Sequence, residues 1–285
     1  MDAHWQQTIE QSMGKIARIR PLSDGDTSSI YQLELSNTTL VAKTNSATTS
    51  PGLLKAEHLG LTAIAAYQKI ATPKIELYEQ CEQRELLVMQ HLSSGEKTTA
   101  SLRQFGRQLA QLHQVQVNQM GWEFSNYIGK LSQSNQPCPT WHQFYAVERL
   151  HAQVQVAVEA GLLTVGDVPS MSRLEQACKN LLGDPQPSPL HGDLWSGNYI
   201  IDISGTGYLI DPSFYYGHSE VDLAMSRLFG GFGTHFYEAY HEVLPPEPGA
   251  AARRDLYQLY YLLVHLNMFG RSYLSSVQHI LNRYF

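Results

Sequence analysis

Residues 190–198 read Leu-His-Gly-Asp-Leu-Trp-Ser-Gly-Asn, which sets a carboxylate, Asp193, five positions ahead of a carboxamide, Asn198. The apolar flanks Leu190, Leu194, Tyr199, Ile200 and Ile201 draw the stretch at least partly into the protein. A carboxylate held there costs several kcal/mol unless something pairs with it. Downstream, Tyr-Ile-Ile-Asp-Ile and Tyr-Leu-Ile-Asp have strand composition, with a Ser-Gly-Thr-Gly turn between them. A tight hairpin of that kind returns Asp211 to the place where Asn198 began, with Asp193 close to both. Carbonyl and carboxylate oxygens are what Mg²⁺ takes alongside phosphate oxygens. An aspartate not needed by the metal is free to orient a nucleophile. The layout is that of kinase-type phosphoryl transfer, with Asp193 as base and Asn198 and Asp211 as metal ligands. An isolated His-Gly-Asp reads more simply as a buried polar turn; the asparagine offset and the second aspartate favour the chemical reading.

Phosphoryl transfer from ATP also needs a cation on the phosphates. Lys43 ends a strand as Val-Ala-Lys, and Glu57 follows fourteen residues later on the next helical segment. A strand lysine paired with a helix glutamate is the phosphate clamp of kinases, although Lys55 and Glu76 are rivals in that assignment. The loop Ser-Asp-Gly-Asp-Thr-Ser-Ser, with its single glycine Gly25, is placed to cover phosphates with backbone N–H groups. Met89, Gln90, His91 and Leu92 occupy the link where backbone groups would meet adenine.

These residues need particular elements to hold them. The first dozen residues have the composition of a short helix. Three antiparallel strands are expected at 15–22, 30–35 and 39–43, a helix from Pro51-Gly52, and two more strands at 74–78 and 84–90. From Ser93 onward the apolar spacing is mostly helical, over 100–115, 140–160, 170–182, 219–240 and 253–283, interrupted by the strand-rich island at 188–211. Phe229-Gly230-Gly231-Phe232 marks a break between two helices. The fold class expected is α+β and two-lobed: residues 1–92 carrying the sheet and the Lys/Glu pair, residues 93–285 helical with the catalytic loop. The tyrosines and leucines of 256–266, and His113 and His265, read as packing residues.

At 285 residues, 43% hydrophobic and 16% charged, the chain has ample core and no disorder signature. A net charge of −6 argues against binding nucleic acid through phosphate neutralisation. Cys81, Cys138 and Cys178 are few and widely spaced, which suggests free thiols in a reducing compartment. With no signal-peptide pattern or membrane-length apolar run, a cytoplasmic location is expected.

Beyond these readings, Leu-His-Gly-Asp-Leu-Trp-Ser-Gly-Asn followed by the run from Asp211 through Tyr-Gly-His-Ser-Glu to Leu-Phe-Gly-Gly-Phe resembles the fructosamine kinases, also called ketosamine or ribulosamine kinases. These are relatives of the aminoglycoside and choline phosphotransferases with a protein-kinase-like fold. The resemblance extends over almost the whole chain, including Lys43, Glu57 and the C-terminal LYQLYYLLVHLNMFGRSY. It implies ATP and Mg²⁺, and a ketosamine substrate, free or protein-bound, phosphorylated at its 3-hydroxyl. The unstable 3-phosphate then eliminates and frees the amine, so the net effect is deglycation. A polyol with a cationic amine calls for an aromatic wall and polar contacts. Trp195, His218 and Glu220 are the candidates, with Gln133 and Asn135 behind them. In one respect the chain departs from some members: the loop over the nucleotide has no cysteine for redox-linked dimerisation, and it is glycine-poor. Two alternatives stay open: another small-molecule kinase of the same fold, and a catalytically silent nucleotide-binding regulator. Oligomeric state is not readable.

Overall fold

A computed structural model describes the chain except for residues 25–27, 47–49 and 83. Gly25 therefore lies outside the described residues. Helix α1 (Ala3–Met13) begins where the Asp2 carboxylate accepts the Trp5 N–H at 3.0 Å. Five strands follow: β1 (Ile16–Asp24), β2 (Ser29–Leu35), β3 (Thr39–Ser46) and, after helix α2 (Leu53–Ala66), β4 (Ile75–Cys81) and β5 (Arg84–Gln90). They form one antiparallel sheet in the order β1-β2-β3-β5-β4. Pro21 is accommodated because β1 is an edge strand with a bulge beside it. The run Leu86–Met89 is continuously apolar because its two faces are both covered. Leu86 and Val88 pack with Trp5 and Ile9 of α1, and Leu87 and Met89 with Leu54 and Leu61 of α2.

The remainder is mainly helical: α3 (Thr99–His113), a short hairpin β6 (Asn126–Ile128) and β7 (Leu131–Gln133), α4 (Trp141–Phe144), α5 (Ala152–Glu159) and α6 (Met171–Leu182). A seven-residue π-helix, Tyr145–His151, joins α4 to α5, so the expected 140–160 helix is continuous but underwound in its middle. The π-turn aims Arg149 into the core, where its guanidinium lies over Tyr215 and Phe144 and donates to the Ser134 and Asn135 oxygens. After β8 (Ser188–Leu190), β9 (Tyr199–Ile201), β10 (Gly207–Leu209) and β11 (Tyr215–Gly217) come α7 (Glu220–Leu228), α8 (Thr234–Val243), α9 (Ala250–Phe269) and α10 (Leu274–Tyr284). The expected 219–240 helix is thus two, split at the glycines of 229–233 as the sequence suggested. The expected 253–283 helix is also two, because Gly270, at φ +87°, ends the first.

The α+β, kinase-like organisation stands: a sheet-bearing N-terminal region and a helical C-terminal region. Tyrosines 257, 260 and 261 are fully buried in the large core. All three cysteines are free thiols. Among the described residues no helix is long and apolar enough to cross a membrane.

Candidate active site

Two small ladders build the centre. Strand β8 pairs with β11, and β9 with β10. Residues 191–198 leave β8 and enter β9, while residues 210–214 leave β10 and enter β11, so the two loops are forced against each other. The Ile210 N–H donates to the Asn198 carbonyl at 3.1 Å, which brings Asp211 beside Asn198. Gly192 is required where the loops pass: its φ is +83°, and a Cβ there would lie 2.1 Å from the Ser213 carbonyl oxygen. Asp211 itself adopts φ +53°, a left-handed conformation that costs a non-glycine residue about 1–2 kcal/mol and that aspartate tolerates better than most.

His191 links the loops. Its Nε2–H donates to the Ile210 carbonyl at 2.8 Å and its Nδ1 accepts the Asp193 N–H at 3.2 Å. That bonding fixes the neutral tautomer, in keeping with a pKa lowered mainly by burial. The Asn198 amide donates to both the Asp193 carbonyl, at 2.8 Å, and the Asp193 carboxylate, at 3.0 Å. With its NH₂ used this way, the Asn198 Oδ1 is left as an oxygen donor. Burial pushes the Asp193 carboxyl up to about 7, against the Asn198 hydrogen bond and with added repulsion from Asp211 and Asp222.

Lys43, on β3, reaches the same point. Its Nζ donates to Glu57 Oε1 at 2.7 Å and also contacts the Asp211 carboxylate. Burial opposes the ammonium, but Asp211 and Glu57 outweigh it and hold the Lys43 pKa above its ordinary value. Burial raises Asp211 too, yet the Lys43 charge leaves it below the usual carboxylate range, while Glu57 stays raised by burial. The rival Glu76 instead pairs with Lys74 at 3.0 Å on the exposed edge of β4.

Around these side chains lies a cavity of about 320 Å³, lined by Lys43, Glu57, Asp193, Asn198 and Asp211, with Ile30 and Leu54. A second cavity, about 580 Å³, lies on the other side of Asp193 and Trp195. Its walls are mostly apolar and aromatic: Phe229, Tyr261, Val264, Met268, Phe269 and Tyr273. Asp193 therefore stands where two cavities meet, one edged with cation and carboxylates, the other with rings.

The chain matches the fructosamine kinase family model over residues 1–285. The chain belongs to the fructosamine kinase family. It is 38% identical to a probable ketoamine kinase of Synechocystis sp., over 99% of this chain and 97% of the relative. It is 31% identical to the chloroplastic protein-ribulosamine 3-kinase of Oryza sativa subsp. japonica, over 95% of this chain and 79% of the relative. A crystal structure of a candidate fructosamine-3-kinase from Haemophilus somnus superposes with a TM-score of 0.88 at 28% identity, over 99% of this chain and 96% of that one. This fructosamine kinase family member is accordingly an ATP-dependent phosphotransferase.

Not every candidate sits at the centre of this family member. Trp195 does: it is 38% exposed, packs across Gly197, and walls both cavities. His218 and Glu220 do not, which corrects the sequence reading. Glu220 is held by Arg253 through two bonds of 2.7 Å, and His218 and Glu220 face a different cavity from which Asp193 is absent. The reason is the start of α7, which turns them away from Asp193. Gln133 and Asn135 are likewise absorbed in the fold: Gln133 donates to Asn126 at 2.7 Å and accepts from Tyr260, and Asn135 accepts from Arg149 at 2.6 Å. Met89 is buried in the sheet, and residues 89–92 lie outside the lining of the smaller cavity. Conversely, His265, read as packing, lines the aromatic cavity with Tyr261.

His218 has another role. Trp141 Nε1–H donates to the Tyr257 hydroxyl at 2.9 Å, whose own proton goes to His218 Nδ1 at 2.7 Å. Burial lowers the His218 pKa from 6.5 to about 4. The unfolded chain takes up a proton below 6.5 that the folded chain refuses until about 4. The contribution of His218 to stability is therefore full above the upper value and falls by about 3 kcal/mol across that window, while Asp193, raised to about 7, acts in the opposite direction. The difference in urea midpoint between the wild type and His218→Asn should shrink accordingly from neutral pH to the bottom of the window, and an unchanged difference would refute it.

Sequence reasoning also missed Glu85, which is 0% exposed in β5. Helix α2 starts at Gly52 without a side-chain cap, and Glu85 supplies one from the sheet, accepting the Leu54 and Lys55 N–H groups at 3.2 and 3.0 Å. It also accepts from the Tyr78 hydroxyl at 2.9 Å. The cap fixes the helix that carries Glu57. Glu85→Ala should cost about 1–3 kcal/mol by leaving buried donors unsatisfied, and should raise KM for ATP, with Glu85→Gln recovering part of both. An unchanged KM at that loss of stability would limit Glu85 to a structural part.

Proposed function

We propose that this protein phosphorylates the 3-hydroxyl of ketosamines, the sugar adducts left on amines by glycation, and so starts their removal. One observation carries the reading: the Asp193 carboxylate lies at the junction of a cavity edged by Lys43, Asn198 and Asp211 and an aromatic cavity large enough for a sugar on an amine. In this reading ATP phosphates occupy the first cavity, with the adenine toward the backbone of 89–92, and the acceptor occupies the second. Asp193 orients the sugar hydroxyl and accepts its proton as the new P–O bond forms and the bond from the γ-phosphorus to the bridging oxygen breaks. Lys43, held by Glu57, binds phosphate oxygens.

The donor set suits Mg²⁺. Asn198 Oδ1 and the Asp211 carboxylate are hard oxygen donors facing one cavity, and Mg²⁺ characteristically takes one or two such protein ligands and completes its shell with phosphates and water. When bound there the ion offsets phosphate charge. On the acceptor side, the rings of Trp195, Phe229 and Tyr273 suit the cationic amine through cation–π attraction.

Ribulosyl-lysine or fructosyl-lysine incubated with Mg-ATP and the protein should gain one phosphate by mass spectrometry, then lose it as free lysine appears. The better substrate names the sugar. Phosphorylation of aminoglycosides or choline, with both ketosamines intact, would replace this reading by that of another small-molecule kinase. ATP binding without any turnover would point to the silent regulator.

A further inference from the structure

Arg227 of α7 and Arg254 of α9, with His241 of α8, line two adjoining cavities from which Asp193 and its neighbours are absent. One, about 280 Å³, has apolar walls from Leu223, Leu244, Pro245 and Pro246. The other, about 900 Å³, is wider and passes Gly230, Thr234 and Tyr237. Three acids that border these spaces are already engaged. Glu220 is tied to Arg253 at 2.7 Å, Glu238 to Arg103 at 3.5 Å, and Asp255 to Arg283 at 2.9 Å. Glu247 is exposed and forms no ion pair with either arginine. Among the described residues, no carboxylate lies within 4.0 Å of the Arg227 or Arg254 guanidinium. Arg227 is nonetheless half-buried and preorganised, its guanidinium 3.4 Å from the centre of the Tyr237 ring. Burial, and then the charge of Arg254, press its pKa down against the pull of Tyr237. Two like charges border the same adjoining cavities on a chain whose net charge is −6, and among the described residues neither forms a salt bridge.

A guanidinium fork matches phosphate geometry and remains charged. An apolar limb beside it suits carbon, as in other mixed ligand pockets. We propose that this double cavity is a second ligand site, separate from the phosphotransfer centre, that takes a small phosphate ester with its phosphate on Arg227 and Arg254 and its carbon skeleton in the apolar limb.

Calorimetric titration of the full chain with phenyl phosphate and with inorganic phosphate, in EDTA, tests this. One saturable site is expected, with phenyl phosphate several-fold tighter because its ring enters the apolar limb. Arg254→Gln, at an exposed position, should keep the fold and weaken binding about tenfold, the loss of a charge-assisted hydrogen bond; Arg227→Gln should do at least as much. Lys43→Met should leave the affinity unchanged. Binding that survives both arginine substitutions, or disappears in Lys43→Met, would overturn the assignment, as would no saturable binding at about 10 mM ligand.

Discussion

Asp193→Asn is expected to abolish most turnover while leaving ATP binding intact. The substituted amide keeps an oxygen that can still accept from Asn198, now 3.0 Å from the carboxylate, so the loop has no reason to move. What disappears, on the proposed function, is the proton acceptor for the sugar hydroxyl. Loss of a general base costs about 10²–10⁴ in rate, and kcat should fall in that range with KM for ATP changed little. Single-turnover assays and nucleotide titration separate the two effects. Near-normal kcat would remove Asp193 from the role of base.

Asp222→Ala should be the most damaging change away from substrate. Asp222 is 0% exposed and accepts the His191 N–H at 2.7 Å and the Gly192 N–H at 2.9 Å, with His113 Nε2 at 3.2 Å. Burial favours its neutral form, but His113, by hydrogen bond and charge, His191 and the Gly192 N–H together keep its pKa below the usual value. Tyr261 pins the same loop from the other side, donating to the Gly192 carbonyl at 2.7 Å. Removing the carboxylate strands two backbone donors and a histidine in the core. A loss of about 3–5 kcal/mol follows from breaking such a buried network, with kcat reduced because the segment before Asp193 is no longer fixed. Asp222→Asn retains one acceptor oxygen and should recover part of the stability. Denaturant midpoints and kcat measured on both variants check this, and a wild-type midpoint for the alanine variant would refute it.

Asp222 shows what a linear reading loses. It sits in Val-Asp-Leu-Ala-Met, an acid inside an apolar helical run, whereas Glu85 follows Glu-Gln-Arg and opens the apolar run Leu-Leu-Val-Met. A charged residue among apolar neighbours is the signal that could have found Asp222; Glu85, beside Arg84 at the polar end of its strand, carries no such signal. Their partners, however, are backbone N–H groups 30 or more residues away, which no spacing rule announces. The opposite error befell His218 and Glu220. Their types suit a polyol, but Glu220 is held by Arg253 and His218 by the Tyr257 hydroxyl. Tyr261 and His265 were read as packing because they fit a helical apolar pattern; that pattern does not say that one end of the helix borders a cavity.

What the sequence determined by itself is local: the hairpin that returns Asp211 to Asn198, the strand lysine and helix glutamate, and the alternation of sheet and helix. These follow from short-range pattern and turn length, so residue type and spacing suffice. The tertiary structure alone decided that Asp211 joins Glu57 on Lys43, which acids cap α2 and hold the Asp193 loop, and where the cavities open. Those outcomes depend on the directions in which distant elements pack, and burial gives each buried charge its partner only after the chain has folded.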